Sequence, residues 1–506
     1  MKYDCIIVGG SLGGVFASIA LAREQKKCLI LEEYDWIGGQ LTSQAVPPDE
    51  HPKIEEYGCT ATYREMRNRI REHYRNQPEF KSEVKQTPSF NPGGGWVSLL
   101  CHEPRIAHQV LCDMIRPYCR MGLITVITKA KVIAAQVKNK IINKVTVSYN
   151  GQTIDFFGKY FIDASDTGYF LPMVEADYVI GRDDAKDTDR DDVQAITWVA
   201  AIEYDRHGKH RIEKPQDYDF FSELTIPYTD KKVLSWYGHD KDRKARLFGM
   251  FGWPLDADGR VIPSLFSYRK IINKKNYSVP VNDVTLINWP QNDYFLGSLY
   301  QDEEYHKFMA KELTKSLVYW LQTAAPRHDG GSGYPEIKLR PDILGTADGF
   351  AQAPYIRESR RIKAIRTVTE SDLGQERPVF SDTVGIGWYH IDLHLTTKTH
   401  RTIFRPTAPF EIPLGALIPV ETENLLAGCK NIGTTQITNG CYRLHPIEAN
   451  VGEAAGAFIA YALELNRSPQ EIYRERQLIC AFQKRLTKAG FELHWPEDVF
   501  RNIKLD

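Results

Sequence analysis

The sequence lacks a charge excess of either sign. It contains 64 Lys plus Arg against 65 Asp plus Glu, which gives a formal net charge of -1 over 506 residues. Proteins that hold nucleic acid over a large surface need a basic face, so we expect no nucleic-acid partner. Beyond the N-terminal region, no stretch approaches the about 20 apolar residues of a membrane span, and we expect no membrane-embedded segment.

The cysteines also lack the spacing of a structural framework. The nine cysteines form an odd set without a C-x-x-C pair, which argues against both a disulfide framework and a zinc ribbon. We therefore expect a reducing, cytoplasmic compartment. A secretory signal is the alternative, because Lys2 precedes an apolar run that ends on Ala20-Leu21-Ala22. Asp4 and the four glycines within that run argue against it.

The first 32 residues have the order strand, glycine turn, helix, strand. The run YDCIIV at 3–8 predicts a buried strand, GGSLGG follows at 9–14, and a small, apolar helical segment leads to the strand CLIL. Glu32 lies 18 residues beyond Gly14, close to the spacing of about 20 for an acid that binds a ribose 2′-OH. Gly9 permits the tight turn, and the helix N-terminus attracts a pyrophosphate. The unit therefore predicts dinucleotide binding.

The same turn also matches the nucleophile elbow of α/β-hydrolases, because Gly9, Ser11 and Gly13 spell G-x-S-x-G. An elbow normally follows several earlier strands, whereas only eight residues precede Gly9. We therefore favour the dinucleotide interpretation, with Ser11 in the place of the second glycine. No second strand-linked glycine fingerprint follows, so we expect no separate NAD(P)H site.

Two later segments carry clustered polar side chains. The run WYHIDLHLT at 388–396 alternates strictly, so a strand there places His390, Asp392, His394 and Thr396 on one face. That face is interpreted as the solvated side of a sheet, a wall that contacts substrate, or a metal site. The block RESRR at 357–361 is either a solvated helix face or an anion-binding cluster.

With these motifs in place, the chain resembles the FAD-dependent oxidoreductase family whose nucleotide-binding domain is similar to that of glutathione reductase. The resemblance runs nearly end to end and departs from the family pattern at 163–168, usually richer in glycine, and at Ile447, usually a threonine. Besides the glycine loop, the blocks that carry it are GGQLT at 38–42, HEPRIA at 102–107, YFIDASDTG at 160–168, YIRESRRI at 355–362 and, most specifically, the segment 424–456.

The resemblance implies non-covalently bound FAD and no metal. Its contacts are expected from the pyrophosphate loop, from the acid after the second strand, and from segments that approach the ribityl chain, the adenine and the flavin ring. The predicted FAD-binding residues are Gly9, Gly10, Ser11, Gly13 and Gly14 (pyrophosphate); Glu32 and Glu33 (ribose); Gly39, Gln40, Leu41 and Thr42 (ribityl chain or flavin); Val132 (adenine, through its backbone); Ala164 and Ser165; and Asn450 and Val451 (beneath the flavin).

The resemblance also implies an α/β fold. We expect a doubly wound, Rossmann-type FAD-binding domain like that of glutathione reductase, with an inserted, strand-rich substrate domain. The predicted boundaries are 1–45, 96–185 and 401–470 for the FAD-binding domain, 46–95 for a helical or loop excursion, 186–400 for the substrate domain and 471–506 for a C-terminal helical extension.

The expected reaction is the two-electron (hydride) oxidation of a small alcohol, sugar or amine, with oxygen or another electron acceptor. An NAD(P)H-dependent flavin monooxygenase is the alternative, and a non-catalytic dinucleotide-binding sensor or scaffold is a third hypothesis. Oxidation of such a carbon requires a base for the accompanying proton, and histidine suits that role. The predicted catalytic wall comprises His445, His390 and His394 as candidate bases and Arg357, Arg361 and Arg443 as residues that orient the substrate. The oligomeric state stays open.

Overall fold

The computed structural model describes residues 2–183, 191–240, 242–252, 259, 261–262, 264–376, 379–497 and 499. Its strands are β1 (Lys2–Val8), β2 (Cys28–Leu31), β3 (Ile124–Ile127), β4 (Ala130–Lys138), β5 (Ile141–Tyr149), β6 (Gln152–Asp163), β7 (Tyr178–Val179), β8 (Ile196–Thr197), β9 (Ala200–Tyr204), β10 (Tyr237–His239), β11 (Ala245–Leu247), β12 (Lys270–Ile272), β13 (Val284–Ile287), β14 (Asp293–Tyr294), β15 (Ile337–Leu339), β16 (Arg361–Ile362), β17 (Thr383–Gly387), β18 (Ile391–Leu393), β19 (Ile403–Arg405), β20 (Phe410–Pro413) and β21 (Leu425–Ala427). Its helices are α1 (Leu12–Arg23), α2 (Ala61–Arg75), α3 (Ser82–Gln86), α4 (Pro104–Arg120), α5 (Phe170–Met173), α6 (Tyr218–Glu223), α7 (Leu265–Tyr268), α8 (Glu303–Thr323), α9 (Pro341–Leu344), α10 (Gln436–Tyr442), α11 (His445–Leu465), α12 (Pro469–Tyr473) and α13 (Arg476–Lys488).

The main sheet is built around the predicted opening unit. β1 pairs in parallel with β2 and with β6, β2 pairs in parallel with β3, and β21 pairs in parallel with β6. The first half of β6 pairs instead with β5 in antiparallel fashion, and β5 pairs with β4. β2 is buried along its whole length, as an apolar strand covered on both faces should be. The structure therefore confirms an α/β, Rossmann-like nucleotide-binding fold.

Helices α1 and α11 pack with their backbones in direct contact. A Cβ atom added to Gly452 would lie 2.0 Å from the carbonyl oxygen of Gly13, and one added to Gly456 would lie 2.2 Å from the carbonyl oxygen of Ala17. No side chain fits at these distances, so glycine is required for the two helices to approach this closely. The contact holds the start of α1 beside the start of α11.

A second hydrophobic core lies apart from that of the main sheet. It surrounds the antiparallel sheet β12-β13-β9-β15 and the long helix α8, with Ala45 and Val46 contributed by the N-terminal segment. Within the described residues, none of the helices has both the length and the apolar character required to cross a membrane.

The predicted substrate segment 186–400 extends too far at its C-terminal end. Ile362, Val384 and Ile391 pack into the core of the main sheet rather than into the second core. The reason is long-range pairing, because β17 pairs with β20, whose Phe410 and Ile412 also pack in the core of the main sheet. The other predicted boundaries stay predictions.

The contact between α1 and α11 can be tested with Gly456→Ala. Helix propensity alone would stabilise the protein by about 1 kcal/mol, whereas overpacking against the Ala17 carbonyl should cost about 1–3 kcal/mol. We therefore expect a lower midpoint of thermal unfolding, followed by circular dichroism. Gly374→Ala is the control, since its added Cβ would meet nothing within 4 Å. A rise of the midpoint in Gly456→Ala would contradict the close contact.

Candidate functional site

The glycine loop between β1 and α1 has the geometry of an anion-binding turn. Gly9 adopts a φ of 98°, and a Cβ there would lie 2.4 Å from the carbonyl oxygen of Ala164. Ser11 is the N-cap of α1, and its Oγ accepts a hydrogen bond from the Gly14 N–H at 3.3 Å. The serine that departs from the glycine pattern thus satisfies one of the free N–H groups at the helix start.

Two buried carboxylates accept hydrogen bonds from this loop. Glu32 accepts from the Gly10 N–H at 2.6 Å and from the Tyr34 N–H at 2.8 Å. Glu448, in the first turn of α11, accepts from the Gly13 N–H at 3.2 Å. Burial raises the pKa of Glu32 to about 8 and also raises the pKa of Glu448. The loop N–H groups therefore point toward acceptor groups, as a phosphate-binding turn requires.

Glu32 lies in a cleft that brings several predicted cofactor residues together. Gly9, Glu32, Glu33 and Ser165 line it, and Ala164 donates its N–H to the Val8 carbonyl directly beneath it. The other lining residues were not anticipated from the sequence, and they are Tyr34, Gln44, Asp166, Thr167, Tyr169, Glu303, Lys307 and Ile356. The predicted adenine contact, Val132, has a buried side chain, and its backbone is hydrogen-bonded to Tyr169.

The segment at 39–42 forms a single 3-10 turn against α11. Gln40 donates from Nε2 to the Arg443 carbonyl at 3.0 Å and to the Glu448 carboxylate, while its Oε1 is buried without a partner among the described residues. Leu41 is packed in the core, and Thr42 donates to the Ile37 carbonyl at 2.7 Å. Only Gln40 therefore has an uncommitted side-chain atom.

The two residues predicted beneath the flavin have side chains committed to the protein. Asn450 donates from Nδ2 to the Val384 carbonyl at 3.0 Å, and Val451 is fully buried in the main core. Their assignment as cofactor residues stays a prediction.

A buried charged cluster next to the loop was missed from the sequence. The Lys430 ammonium contacts Asp166 Oδ1 at 2.6 Å and the Ile356 carbonyl at 3.0 Å. Lys430 also faces Glu448, whose carboxylate joins the glycine loop to the 39–42 turn. The sequence does contain an indication of this cluster. Lys430 and Glu448 are charged residues inside blocks of mostly small or apolar residues, LLAGCKNIG and HPIEANVG respectively.

A cavity of about 640 Å³ lies on the other side of the segment Tyr355–Arg357. Tyr355 and Arg357 line the cavity, whereas Ile356 lines the cleft that contains Glu32, which we call the nucleotide cleft. Residues in an extended segment point alternately to opposite sides, so this segment separates cleft from cavity by the thickness of a single chain. Arg443, which immediately precedes Leu444 and α11, also lines the cavity and donates to the Tyr355 hydroxyl at 2.5 Å.

Five charged side chains of alternating sign form a chain along the cavity wall. Arg357 pairs with Asp293 at 2.9 Å, and the other oxygen of Asp293 lies 2.6 Å from His394 Nδ1. His394 Nε2 lies 3.2 Å from Asp392, which pairs with Arg443 at 3.0 Å. Burial and Arg357 lower the pKa of His394, but the two carboxylates outweigh them, and the net shift is upward. With both ring nitrogens donating, His394 is a poor base and has no lone pair for a metal ion.

The other two candidate histidines occupy different environments. His390 lines the cavity, stacks on Tyr389 with ring centroids 4.0 Å apart and contacts Phe404 at 4.1 Å. Burial is the largest effect on it and lowers its pKa, so the neutral ring is favoured. His445 is fully buried, does not line the cavity, and accepts the Asp49 N–H at Nδ1. His390 is therefore the candidate base that the geometry favours.

Arg361, from the predicted catalytic wall, and Thr396, from the predicted polar face, lie elsewhere. Arg361 does not line the cavity, because its guanidinium is fully buried and bound to Glu358 at 2.8 Å and to the Gly181 and Thr434 carbonyls. Strand β18 covers only Ile391–Leu393, and Thr396 turns inward to accept the Arg401 N–H. The predicted substrate wall is thus wrong for Arg361, and the alternation at 388–396 describes a strand of only three residues.

Comparison with known proteins gave weak structural similarities and one family match. One similar solved structure is the myxobacterial chondrochloren halogenase CndH, with 15% identity over 42% of this chain and 45% of that chain and a TM-score of 0.26. The OxyS anhydrotetracycline hydroxylase from Streptomyces rimosus has 11% identity over 97% of this chain and 67% of that chain, with a TM-score of 0.34. The flavin-dependent brominase Bmp2 has 10% identity over 96% of this chain and 84% of that chain, with a TM-score of 0.38. The chain thus spans less than half the length of the first of these. At these identities and TM-scores, the likeness does not extend to substrate or reaction. No curated protein matched the chain.

The family match covers almost the whole chain. The model described as FAD dependent oxidoreductase matches residues 4–486, which include the glycine loop, the nucleotide cleft and helix α11. A glycine loop between a strand and a helix, followed by an acid at the end of the next strand, is the arrangement typical of a dinucleotide site. The chain belongs to the FAD-dependent oxidoreductase family, and its cofactor is FAD.

Proposed function

We propose that the protein oxidises a small organic substrate, such as an alcohol, sugar or amine, in the cavity lined by Tyr355 and Arg357. The observation that carries this proposal is the single-chain partition, which puts the cavity directly against the nucleotide cleft at Ile356. Electrons would pass on to oxygen or another acceptor, in the cytoplasm. A FAD-binding unit like that of glutathione reductase, with FAD held without a covalent bond, is part of the same proposal.

In this proposal, FAD carries the electrons, and side chains of the cavity wall accept the proton and orient the substrate. When bound, FAD supplies the two-electron redox chemistry of its isoalloxazine ring. Oxidation of an alcohol or amine carbon also releases a proton from the hydroxyl or amine, and His390, which lines the cavity and is favoured in its neutral form, would accept it. The chain of alternating charges fixes Arg357 and Arg443 at the wall, where they would orient the substrate. The rings of Tyr389 and Phe404 pack against His390 and hold its imidazole in place.

Anaerobic reduction separates the three functional hypotheses. Loss of the oxidised-flavin absorbance on addition of candidate alcohols, sugars or amines supports the proposed oxidation. Loss on addition of NADPH alone supports the monooxygenase instead. A flavin that neither treatment reduces supports the sensor or scaffold.

Acid denaturation of the purified protein should release intact FAD into the supernatant, where chromatography separates it from FMN. The pyrophosphate loop together with Glu32 is expected to select the dinucleotide, because FMN has neither the pyrophosphate nor the adenosine ribose. Release of FMN, or retention of the flavin on the precipitate, would refute this part of the proposal.

Glu32→Ala should weaken FAD binding by about 1–3 kcal/mol, because the buried Gly10 N–H and a ribose hydroxyl would lose their partner. Titration of the apoprotein with FAD measures the change in Kd. Glu213→Ala is the control, since Glu213 is exposed and lies outside the cleft. An unchanged Kd in Glu32→Ala would remove Glu32 from the ribose role.

His390→Asn should slow flavin reduction by about 100-fold, the usual size of acid–base catalysis, with the FAD spectrum unchanged. In the wild type, reduction should be fastest where His390 is neutral and should fall as pH drops through its pKa, which lies below the ordinary histidine value. Stopped-flow absorbance at several pH values measures both effects. The exposed His207→Asn should leave the rate and its pH profile unchanged. A wild-type pH profile in His390→Asn would place the base elsewhere.

A further inference from the structure

The cavity is lined by more arginines than carboxylates, and two of these arginines have no carboxylate within hydrogen-bond distance among the described residues. Four arginines line it, namely Arg246, Arg269, Arg357 and Arg443. Arg357 and Arg443 are neutralised within the chain of alternating charges. Glu50, another lining residue, forms an ion pair with the buried Arg67, which does not line the cavity. The positive charges of Arg269 and Arg246 are therefore available to a negatively charged ligand.

Arg269 is the better placed of these two to bind a ligand deep in the cavity. It is 8% exposed, and its nearest carboxylate oxygen, on Asp49, lies 3.9 Å from Nη1, beyond hydrogen-bond distance. Its Nε donates to the Asn288 carbonyl at 3.3 Å, which fixes the plane of the guanidinium. Burial raises the pKa of Asp49, while Arg269 and Arg443 act in the opposite direction. Arg269 keeps its charge, as arginine does in proteins.

Hydrogen-bond donors around Arg269 lack acceptors. Nη1 of Arg269, Nδ2 of Asn288 and Nε1 of Trp289 are buried without a partner among the described residues, and all three side chains are more than nine-tenths buried. All three residues line the cavity. A buried donor without a partner costs about 1–3 kcal/mol, so a ligand that brings acceptor oxygens would remove an existing penalty. Donors outnumber the one unpartnered acceptor nearby, Asp49 Oδ1.

The rest of the cavity wall is aromatic. It includes rings that can pack against the carbon body of a ligand, and these rings belong to Trp96, Phe248, Tyr268, Trp289, Tyr355, Trp388, Tyr389 and Phe404. A volume of about 640 Å³ lies within the usual range for small-molecule sites. The planar guanidinium fork matches the two oxygens of a carboxylate.

We infer that the substrate is an organic acid whose carboxylate binds Arg269 and Asn288 and whose carbon body packs against the aromatic rings. This inference rests on the proposed function in one respect, that the cavity is the substrate site. It adds Arg269 and Asn288 as the residues that determine specificity, in addition to the predicted Arg357 and Arg443.

Benzoate and benzamide form a matched pair of probes for this inference, because they share a ring and differ in the charge of the attached group. Isothermal titration calorimetry on the FAD-loaded protein should give a Kd for benzoate about tenfold or more below that for benzamide, the size expected of one charge-assisted hydrogen-bonded pair. Arg269→Gln should remove this preference, and Arg269→Lys should keep part of it. Arg206→Gln, at an exposed turn outside the cavity, should keep all of it.

Arg246→Glu covers the case in which Arg269→Gln fails to fold, because Arg246 is exposed at the cavity mouth. It should weaken benzoate binding several-fold and leave benzamide binding unchanged. Equal binding of the two probes by the wild type, or an unchanged preference in a folded Arg269→Gln protein or in Arg246→Glu, would overturn the inference. Calorimetry detects binding without turnover, so this failure is distinct from a flavin that no substrate reduces.

Discussion

The backbone contact between α1 and α11 is the constraint on which the site depends. Gly452 and Gly456 allow α11 to touch the α1 backbone, so the two helices begin at the same place in the molecule. The glycine loop at the start of α1 then meets Glu448 in the first turn of α11. Gln40 donates hydrogen bonds to the Glu448 carboxylate and to the Arg443 carbonyl at the same position. The glycine loop, the turn at 39–42 and Arg443 at the cavity wall are therefore held in one fixed arrangement.

From Arg443 the arrangement continues into the second core through ionic contacts. Asp392, His394 and Asp293 connect Arg443 to Arg357, so that basic and acidic side chains alternate along the row. Removing such charges from water costs several kcal/mol per ion, and close pairing with good geometry is what offsets that cost. Because Arg357 and Arg443 each have a carboxylate partner, their guanidinium groups are held in fixed positions at the wall. The charge available to a ligand comes from the arginines outside the chain.

Sequence reasoning succeeded where the necessary residues are neighbours along the chain. The strand, glycine loop, helix and strand up to Glu32 form one continuous unit, and the structure has all four elements in that order. The alternation near residue 390 does place His390, Asp392 and His394 at one cavity. Sequence reasoning failed where the pairing partner of a strand decides which core the strand packs in, as when β17 pairs with β20 and packs in the main core.

The sequence by itself determined the family, the cofactor and the first strand-turn-helix unit, since local spacing and glycine positions encode the arrangement typical of a dinucleotide site. Only the tertiary structure decided the surroundings of each side chain in the site. Arg361 is held by Glu358 and by two carbonyls from distant segments, and the pKa of His394 is raised because two carboxylates from different strands bracket it. Burial and long-range neighbours set hydrogen bonding and pKa, and neither is written in the residues next to a histidine or an arginine.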